Sequence, residues 1–129
     1  MDDYPENPTT FGEHLKKKRL DEKLTRSQLS HKLGLTKSPL WMWENTDRLP
    51  TLKSYPRVIQ FIGYDPLFDN SGTLRASIKN YRRANGLTLE EMATLIGIRY
   101  AILANYLKDR NISKRSMKKI QQFFEETSS

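Results

Sequence analysis

Apolar residues along this chain recur at helical spacing rather than in the alternating pattern of a half-buried strand. Leu74, Ile78 and Tyr81, for example, fall at positions i, i+4 and i+7, which lie on one face of an α-helix. Phe11 and Leu15 show the same i, i+4 spacing near the start of the chain. The pattern therefore predicts an all-α fold in which each helix buries one face.

An internal repeat with an offset of 63 residues links the two halves of the chain. Leu24-Thr25 recurs as Leu87-Thr88, and Leu33-Gly34-Leu35 recurs as Ile96-Gly97-Ile98. Further matches at this offset are mostly apolar: Leu15 with Ile78, Leu29 with Met92, Leu40 with Leu103, and Trp43 with Tyr106. Because self-similarity at a fixed period indicates repeated structural units, we predict two tandem four-helix units with the same type of core.

Capping residues predict where several of these helices begin and end. A threonine followed three positions later by Glu or Gln can exchange two hydrogen bonds with the first turn of a helix, forming a capping box. Three such pairs precede apolar residues: Thr10 with Glu13, Thr25 with Gln28, and Thr88 with Glu91. Gly34 and Gly97 then follow the second helix of each unit, and glycine readily adopts the left-handed conformation that ends a helix. Each unit is thus predicted to contain two short helices joined by a glycine turn.

The third and fourth helices of the first unit have their own boundary signals. We expect Thr36 to cap the third helix, with Pro39 in its first turn, where a missing N–H costs nothing. We expect the fourth helix to begin near Pro56 and to bury Val58, Ile59 and Ile62.

These signals divide the chain into an arm, two units, a linker and a tail. We assign residues 1–9 to a flexible N-terminal arm and residues 10–66 to the first unit. Residues 67–73 are a linker, because the chain between Gly63 and Gly72 is rich in turn residues. Residues 74–125 form the second unit, and residues 126–129 form a tail.

Composition excludes several classes of protein. The chain has no cysteine, which excludes disulfides and thiolate metal sites, and no apolar run approaches the roughly 18 residues that span a bilayer. The acidic start Met1–Glu6 lacks the basic and apolar regions of a signal peptide. His14 and His31 fall on different predicted helices without a metal-ligand spacing, and no glycine-rich phosphate loop or nucleophile elbow occurs. We therefore expect a cytoplasmic protein that is not an enzyme and has no cofactor, no small-molecule substrate and no membrane contact.

Charge is distributed unevenly along the chain. The 22 Lys and Arg against 15 Asp and Glu give a net charge of +7. Residues 1–70 carry 11 basic and 10 acidic side chains, whereas residues 71–129 carry 11 basic and 5 acidic side chains. An excess of this size on the second half favours a polyanionic partner such as nucleic acid.

Several segments of the chain resemble a known protein family. Residues 24–44, which include Leu24-Thr25-Arg26-Ser27-Gln28, Leu33-Gly34-Leu35 and Trp43-Glu44, closely resemble the Xre/Cro-like helix-turn-helix family of phage repressors and bacterial regulators. The segment Pro56–Pro66 resembles a short bacterial subfamily of that type. The second unit is similar through Gly86-Leu87-Thr88, Ala93 and Gly97-Ile98, so the resemblance covers about residues 11–124. It implies two tandem, lambda-repressor-like helix-turn-helix units, the second more divergent.

Both units depart from the family at the end of the third helix. The acidic residue that follows the inward aromatic is Glu44 in the first unit but is replaced by Leu107 in the second. The family's next glycine is also missing, with Thr46 and Asp109 in its place. These changes alter the C-terminal end of each third helix without removing the helix.

The resemblance implies that the third helix of each unit enters the major groove of B-DNA. Successive residues of a helix are turned by roughly 100°. The side chains that face outward are therefore those opposite the inward-facing Leu40 and Trp43, and opposite Leu103 and Tyr106. The predicted DNA-binding residues are Arg26, Lys37, Ser38, Trp41, Met42 and Asn45 in the first unit, and Arg99, Tyr100, Ala101, Asn105 and Lys108 in the second.

Individual roles follow from the chemistry of these side chains. Lys37 suits a guanine edge, Met42 a thymine methyl group, and Asn105 an adenine edge. Arg26, Arg99 and Lys108 suit backbone phosphates.

The sequence therefore predicts sequence-specific binding to double-stranded DNA by a small bacterial or phage-type transcriptional regulator associated with the nucleoid. A single chain could supply both recognition helices, or the second unit could pair two chains as a homodimer. The alternative is an antitoxin-like or adaptor module that grips a protein partner, because an outward Trp41 beside Met42 is unusually apolar for a groove-reading helix.

Overall fold

A computed structural model describes residues 4–35 and 39–127, and all regular secondary structure within these ranges is α-helical. The all-α prediction is therefore confirmed for the described residues. The chain divides into two compact units, unit 1 (Met1–Leu67) and unit 2 (Phe68–Ser129). Unit 1 contains α1 (Phe11–Asp21), α2 (Arg26–Lys32), α3 (Leu40–Asn45) and α4 (Tyr55–Ile62). Unit 2 contains α5 (Leu74–Asn85), α6 (Leu89–Ile96), α7 (Tyr100–Leu107) and α8 (Lys114–Thr127).

None of the helices in the described ranges is both long enough and apolar enough to cross a lipid bilayer.

The core of unit 1 is formed by the apolar faces of its four helices. Leu15, Leu29 and Leu40 are completely buried, one from each of the first three helices. Burying a leucine side chain stabilises a fold by about 1.5–3 kcal/mol, and each of these three residues contributes burial of this kind. The complete set of buried apolar residues is Phe11, Leu15, Leu29, Leu33, Leu40, Trp43, Tyr55, Val58 and Ile62.

Unit 2 has its own core, which includes a partly buried aromatic cluster. The buried residues are Ile78, Met92, Ala93, Ile96, Leu103, Tyr106 and Ile120. At the edge of this core, the ring of Tyr81 on α5 packs edge-on against two rings of α8, with centroid distances of 5.2 Å to Phe123 and 6.1 Å to Phe124. These contacts hold the long last helix against the first helix of the unit.

The three predicted capping boxes are confirmed, and they begin α1, α2 and α6. At α1, Thr9 and Thr10 donate hydrogen bonds to Glu13, which lower the pKa of this carboxyl group below its usual value. The carboxylate is therefore charged at neutral pH, where it also interacts favourably with the positive end of the helix dipole.

Two helix boundaries refine the expectations from sequence. Pro39 was expected in the first turn of the third helix, but it is the N-cap of α3, which begins at Leu40. The expected cap, Thr36, lies outside the described residues. The fourth helix begins at Tyr55, so Pro56 lies in its first turn, where proline is tolerated.

The described part of the N-terminal arm contacts α1. The Tyr4 hydroxyl donates to Asp21 Oδ1 at 2.6 Å, and Lys17 Nζ lies 5.3 Å from the centre of the Tyr4 ring. The Tyr4 hydroxyl and Lys17 together lower the pKa of Asp21. The sequence pattern, from which we assigned residues 1–9 to a flexible arm, gives no indication of these contacts.

The helices α1 and α3 approach each other closely at Gly12. A Cβ added at this position would overlap the carbonyl oxygen of Trp43 and lie 2.9 Å from that of Glu44. Only glycine therefore allows the start of α1 to rest against the end of α3.

We predict that Gly12→Ala destabilises unit 1 by about 1–3 kcal/mol or more, because the methyl group meets backbone rather than a flexible side chain. Alanine favours a helix over glycine by up to about 1 kcal/mol. A net loss of stability would therefore be due to the overlap between the new methyl group and the α3 backbone. Urea unfolding followed by tryptophan fluorescence measures the effect, since both tryptophans lie in unit 1. Lys18→Ala on the same helix is the control. A Gly12→Ala midpoint equal to that of the wild type would contradict the close approach.

Candidate nucleic-acid interface

In each unit, the second helix, a glycine turn and the third helix follow one another. In unit 2, Gly97 has a φ of +91°, and its N–H and that of Ile98 donate to the Ala93 carbonyl at 2.9 and 3.1 Å. In unit 1, Gly34 has a φ of +70°. The small residues Ser30 and Ala93 are buried in the second helix of their units. This arrangement allows the third helix to cross closely over its neighbour and to expose one face.

The exposed face of α7 carries one aromatic ring beside small and polar side chains. Leu103 and Tyr106 are buried on the opposite face, as the spacing predicted. The first turn presents Arg99, Tyr100 and Ala101 to solvent, and half of the Tyr100 surface is exposed. Further along the helix, Asn105 is half-buried and Lys108 is exposed. All five predicted residues of unit 2 thus lie along one helix and its two ends.

The exposed face of α3 is more apolar. Trp41 has 55% of its surface exposed, whereas Trp43 is buried. Met42 is half-buried. Asn45 is exposed, and its side-chain amide donates to the Trp41 carbonyl at 2.9 Å, so it caps its own helix. Two further predicted contacts, Lys37 and Ser38, lie outside the described residues.

A buried carboxylate braces the end of α3. Glu44 is completely buried and accepts two hydrogen bonds from Arg19, at 2.7 Å from Nε and 3.0 Å from Nη2. It also pairs with Arg26, whose Nε lies 3.1 Å from Glu44 Oε1. Arg19 additionally donates to the Leu24 carbonyl at 2.8 Å. Glu44 therefore joins α3 to α1 and α2 through these two arginines. Arg26, which was predicted to bind a phosphate, also contacts Glu44.

Unit 2 lacks this network. At the position that matches Arg19, Arg82 donates to the Leu87 carbonyl at 3.2 Å. The position that matches Glu44 is Leu107. Burial and the neighbouring Arg83 lower the pKa of Arg82, which is nevertheless far too basic to lose its charge near neutral pH.

The loop after α7 contains functional candidates that the sequence reading missed. Asp109 has a φ of +63°, so it occupies the left-handed position for which the family uses glycine. Arg75, at the start of α5, donates to the Tyr106 carbonyl at 2.8 Å and lies 3.2 Å from Asp109 Oδ1. Arg110 follows and is exposed. In the sequence, Arg110 is recognisable only as a basic residue close to an expected helix end. That pattern does not indicate that the loop folds back on α7.

Comparison with known proteins finds a family match within unit 2. Residues 78–128 match the model of the helix-turn-helix family. This is the Xre/Cro-like type, a family of DNA-binding domains. No curated protein and no solved structure matches the chain. The match begins in α5 and includes the whole of α6, α7 and α8. The family model therefore matches unit 2, which resembles the family less closely in its sequence than unit 1 does.

We predict that Glu44→Gln lowers the free energy of unfolding of unit 1 by about 3–5 kcal/mol, because it leaves Arg19 buried without a full counter-charge. The matched control is Glu22→Gln, since Glu22 pairs with Lys18 on the surface at 3.1 Å and such pairs contribute about 0–1 kcal/mol. Urea unfolding measured by tryptophan fluorescence compares the two variants. Equal midpoints for both would show that Glu44 does not brace α3.

Proposed function

We propose that this chain binds double-stranded DNA in a sequence-specific manner, as a small bacterial or phage-type transcriptional regulator, and that α7 is a recognition helix. The observation that carries the proposal is the helix-turn-helix match over residues 78–128, combined with the face of α7 that the fold leaves open. Binding rather than catalysis is the proposed activity, in the cytoplasm and on the nucleoid.

The side chains of α7 suit the major groove. An α-helix fits the groove, which is about 12 Å wide, and the small Ala101 allows close approach to the base edges. Arg99 and Lys108 lie at opposite ends of the helix, where they would face the phosphates that flank the groove. Unit 2 also carries 11 basic and 6 acidic residues, whereas unit 1 carries 11 and 9.

We further propose that unit 1 is a second copy of the same fold. Support comes from positions 63 residues apart: Leu15 and Ile78 are completely buried, as are Leu40 and Leu103. Matching arginines also donate to matching carbonyls, Arg19 to Leu24 and Arg82 to Leu87. A chain with two such units could place two recognition helices on one DNA segment, or two chains could pair through one unit.

The second candidate function is protein binding by α3. The exposed Trp41 favours it, because a large apolar side chain on an outward helix face often marks an interface. On this proposal, Trp41 and Met42 contact a protein partner while α7 holds DNA. The two proposals differ in what covers Trp41 when DNA is bound.

We predict that log K for random duplex DNA falls against log salt with a slope near −5, as expected for about six neutralised phosphates. The variant Arg99→Glu/Lys108→Glu should bind more weakly, and its slope should be smaller in magnitude by about 2. Fluorescence anisotropy across a salt series measures both quantities. Lys23→Glu, an exposed charge reversal in the turn after α1, is the control. Wild-type affinity and slope in the double variant would exclude α7 as the binding helix.

We predict that Trp41 becomes protected when DNA binds, as expected if α3 also enters the groove. Acrylamide quenching reports this directly, because Trp41 is exposed and the other tryptophan, Trp43, is buried. On adding duplex, the quenching constant should fall toward that of the Trp41→Phe variant. An unchanged constant under saturating DNA would favour the protein-binding role of α3.

A further inference from the structure

The loop after α7 folds back along the helix instead of leaving it. With Asp109 in the left-handed conformation, the Asp109 N–H donates to the Tyr106 carbonyl at 3.2 Å, and the Arg110 N–H donates to the Asn105 carbonyl at 3.0 Å. Arg75 holds this turn from the α5 side, through the Tyr106 carbonyl and Asp109. Its guanidinium also stacks on the Tyr106 ring, 4.3 Å from the ring centre. The backbone of residues 105–110 is therefore held by contacts from both sides.

This turn returns the Arg110 side chain to the exposed face of α7. Arg110 Nη1 donates to Asn105 Oδ1 at 3.3 Å. A guanidinium has five N–H donors, and Arg110 is exposed, so its other donors face solvent. The side chain thus contacts a predicted base-reading amide and still offers a charged fork to a phosphate.

We infer that Asn105 reads an adenine and that Arg110 is the positioning residue that orients its amide, an inference that rests on the proposed DNA binding. An asparagine recognises adenine by accepting from N6 and donating to N7, which requires a defined orientation of its amide. The bond from Arg110 sets that orientation, because only the amide oxygen can accept it, and this oxygen keeps a second lone pair for the base. The same guanidinium would bind the adjacent DNA phosphate. One side chain would then contact the DNA backbone and orient the amide that reads the base.

Unit 1 does not contain this pair. The positions that match Asn105 and Arg110 at the repeat offset are Met42 and Asp47. Methionine offers no hydrogen-bond pair to an adenine edge, and an exposed aspartate repels a phosphate. The adenine-reading pair therefore belongs to unit 2 alone.

The test uses the full chain and the duplex that the wild type enriches from a random pool. Each A·T pair of this duplex is replaced in turn by G·C, and affinity is measured for the wild type, Asn105→Ala, Arg110→Lys and Arg110→Ala. Asn85→Ala, at the exposed asparagine that ends α5, is the matched control. Thermal unfolding of every variant is recorded, so that a loss of fold is distinguished from a loss of reading.

We expect wild-type discrimination of roughly 5- to 150-fold at one A·T pair, and its loss in Asn105→Ala. Arg110→Lys should lose most of the discrimination at the same pair yet keep the salt slope, since lysine retains the charge without the planar fork. Arg110→Ala should lose the discrimination and also reduce the magnitude of the salt slope by about 1, because one phosphate contact is removed. Asn85→Ala should change neither quantity. Full discrimination in Asn105→Ala or in Arg110→Lys overturns the inference while leaving DNA binding intact. Absence of any DNA binding by the wild type overturns the proposed function itself, and the inference with it.

Discussion

The path of the chain from the second to the third helix of each unit depends on a small buried residue followed, four positions later, by a left-handed glycine. In unit 2, Ala93 lets α7 cross closely over α6, and Gly97 reverses the chain without strain at a φ of +91°. A larger side chain at Ala93 would overpack the crossing, at a cost of about 1–3 kcal/mol. The direction of α7, and with it the face that α7 exposes, follows from these two residues. Ser30 and Gly34 occupy the same places in unit 1.

The two units brace the third helix by different means. In unit 1, Gly12 brings α1 against α3, and the buried Glu44 engages both Arg19 and Arg26. The positive charge at the start of α2 is thereby partly neutralised within the fold. In unit 2, Arg75 stands where unit 1 has glycine, and it binds the end of α7 through the Tyr106 carbonyl. Lys108 and Arg110, the basic residues that follow α7, are exposed.

Local patterns allowed much of the fold to be predicted, because the interactions concerned lie close together in sequence. Each capping box joins two residues that are three positions apart, and the buried leucines follow the helical period. The bond between Arg26 and Glu44 joins residues 18 positions apart, and no local pattern indicates it. The contact between Arg110 and Asn105 depends on the left-handed Asp109, which propensity alone does not predict for aspartate. Outward faces were thus predictable, whereas the partners of the charged groups on them were not.

The proposed function requires that α7 contacts DNA. Amide chemical shifts of the isotopically labelled full chain, recorded with and without a duplex selected from a random pool, test it most directly. The largest perturbations are expected over Arg99–Arg110, with smaller ones at the starts of α5 and α6, where N–H groups would face phosphates. Perturbations confined to α8, or spread evenly over the exposed lysines and arginines of the chain, would contradict the assignment of α7 as a recognition helix.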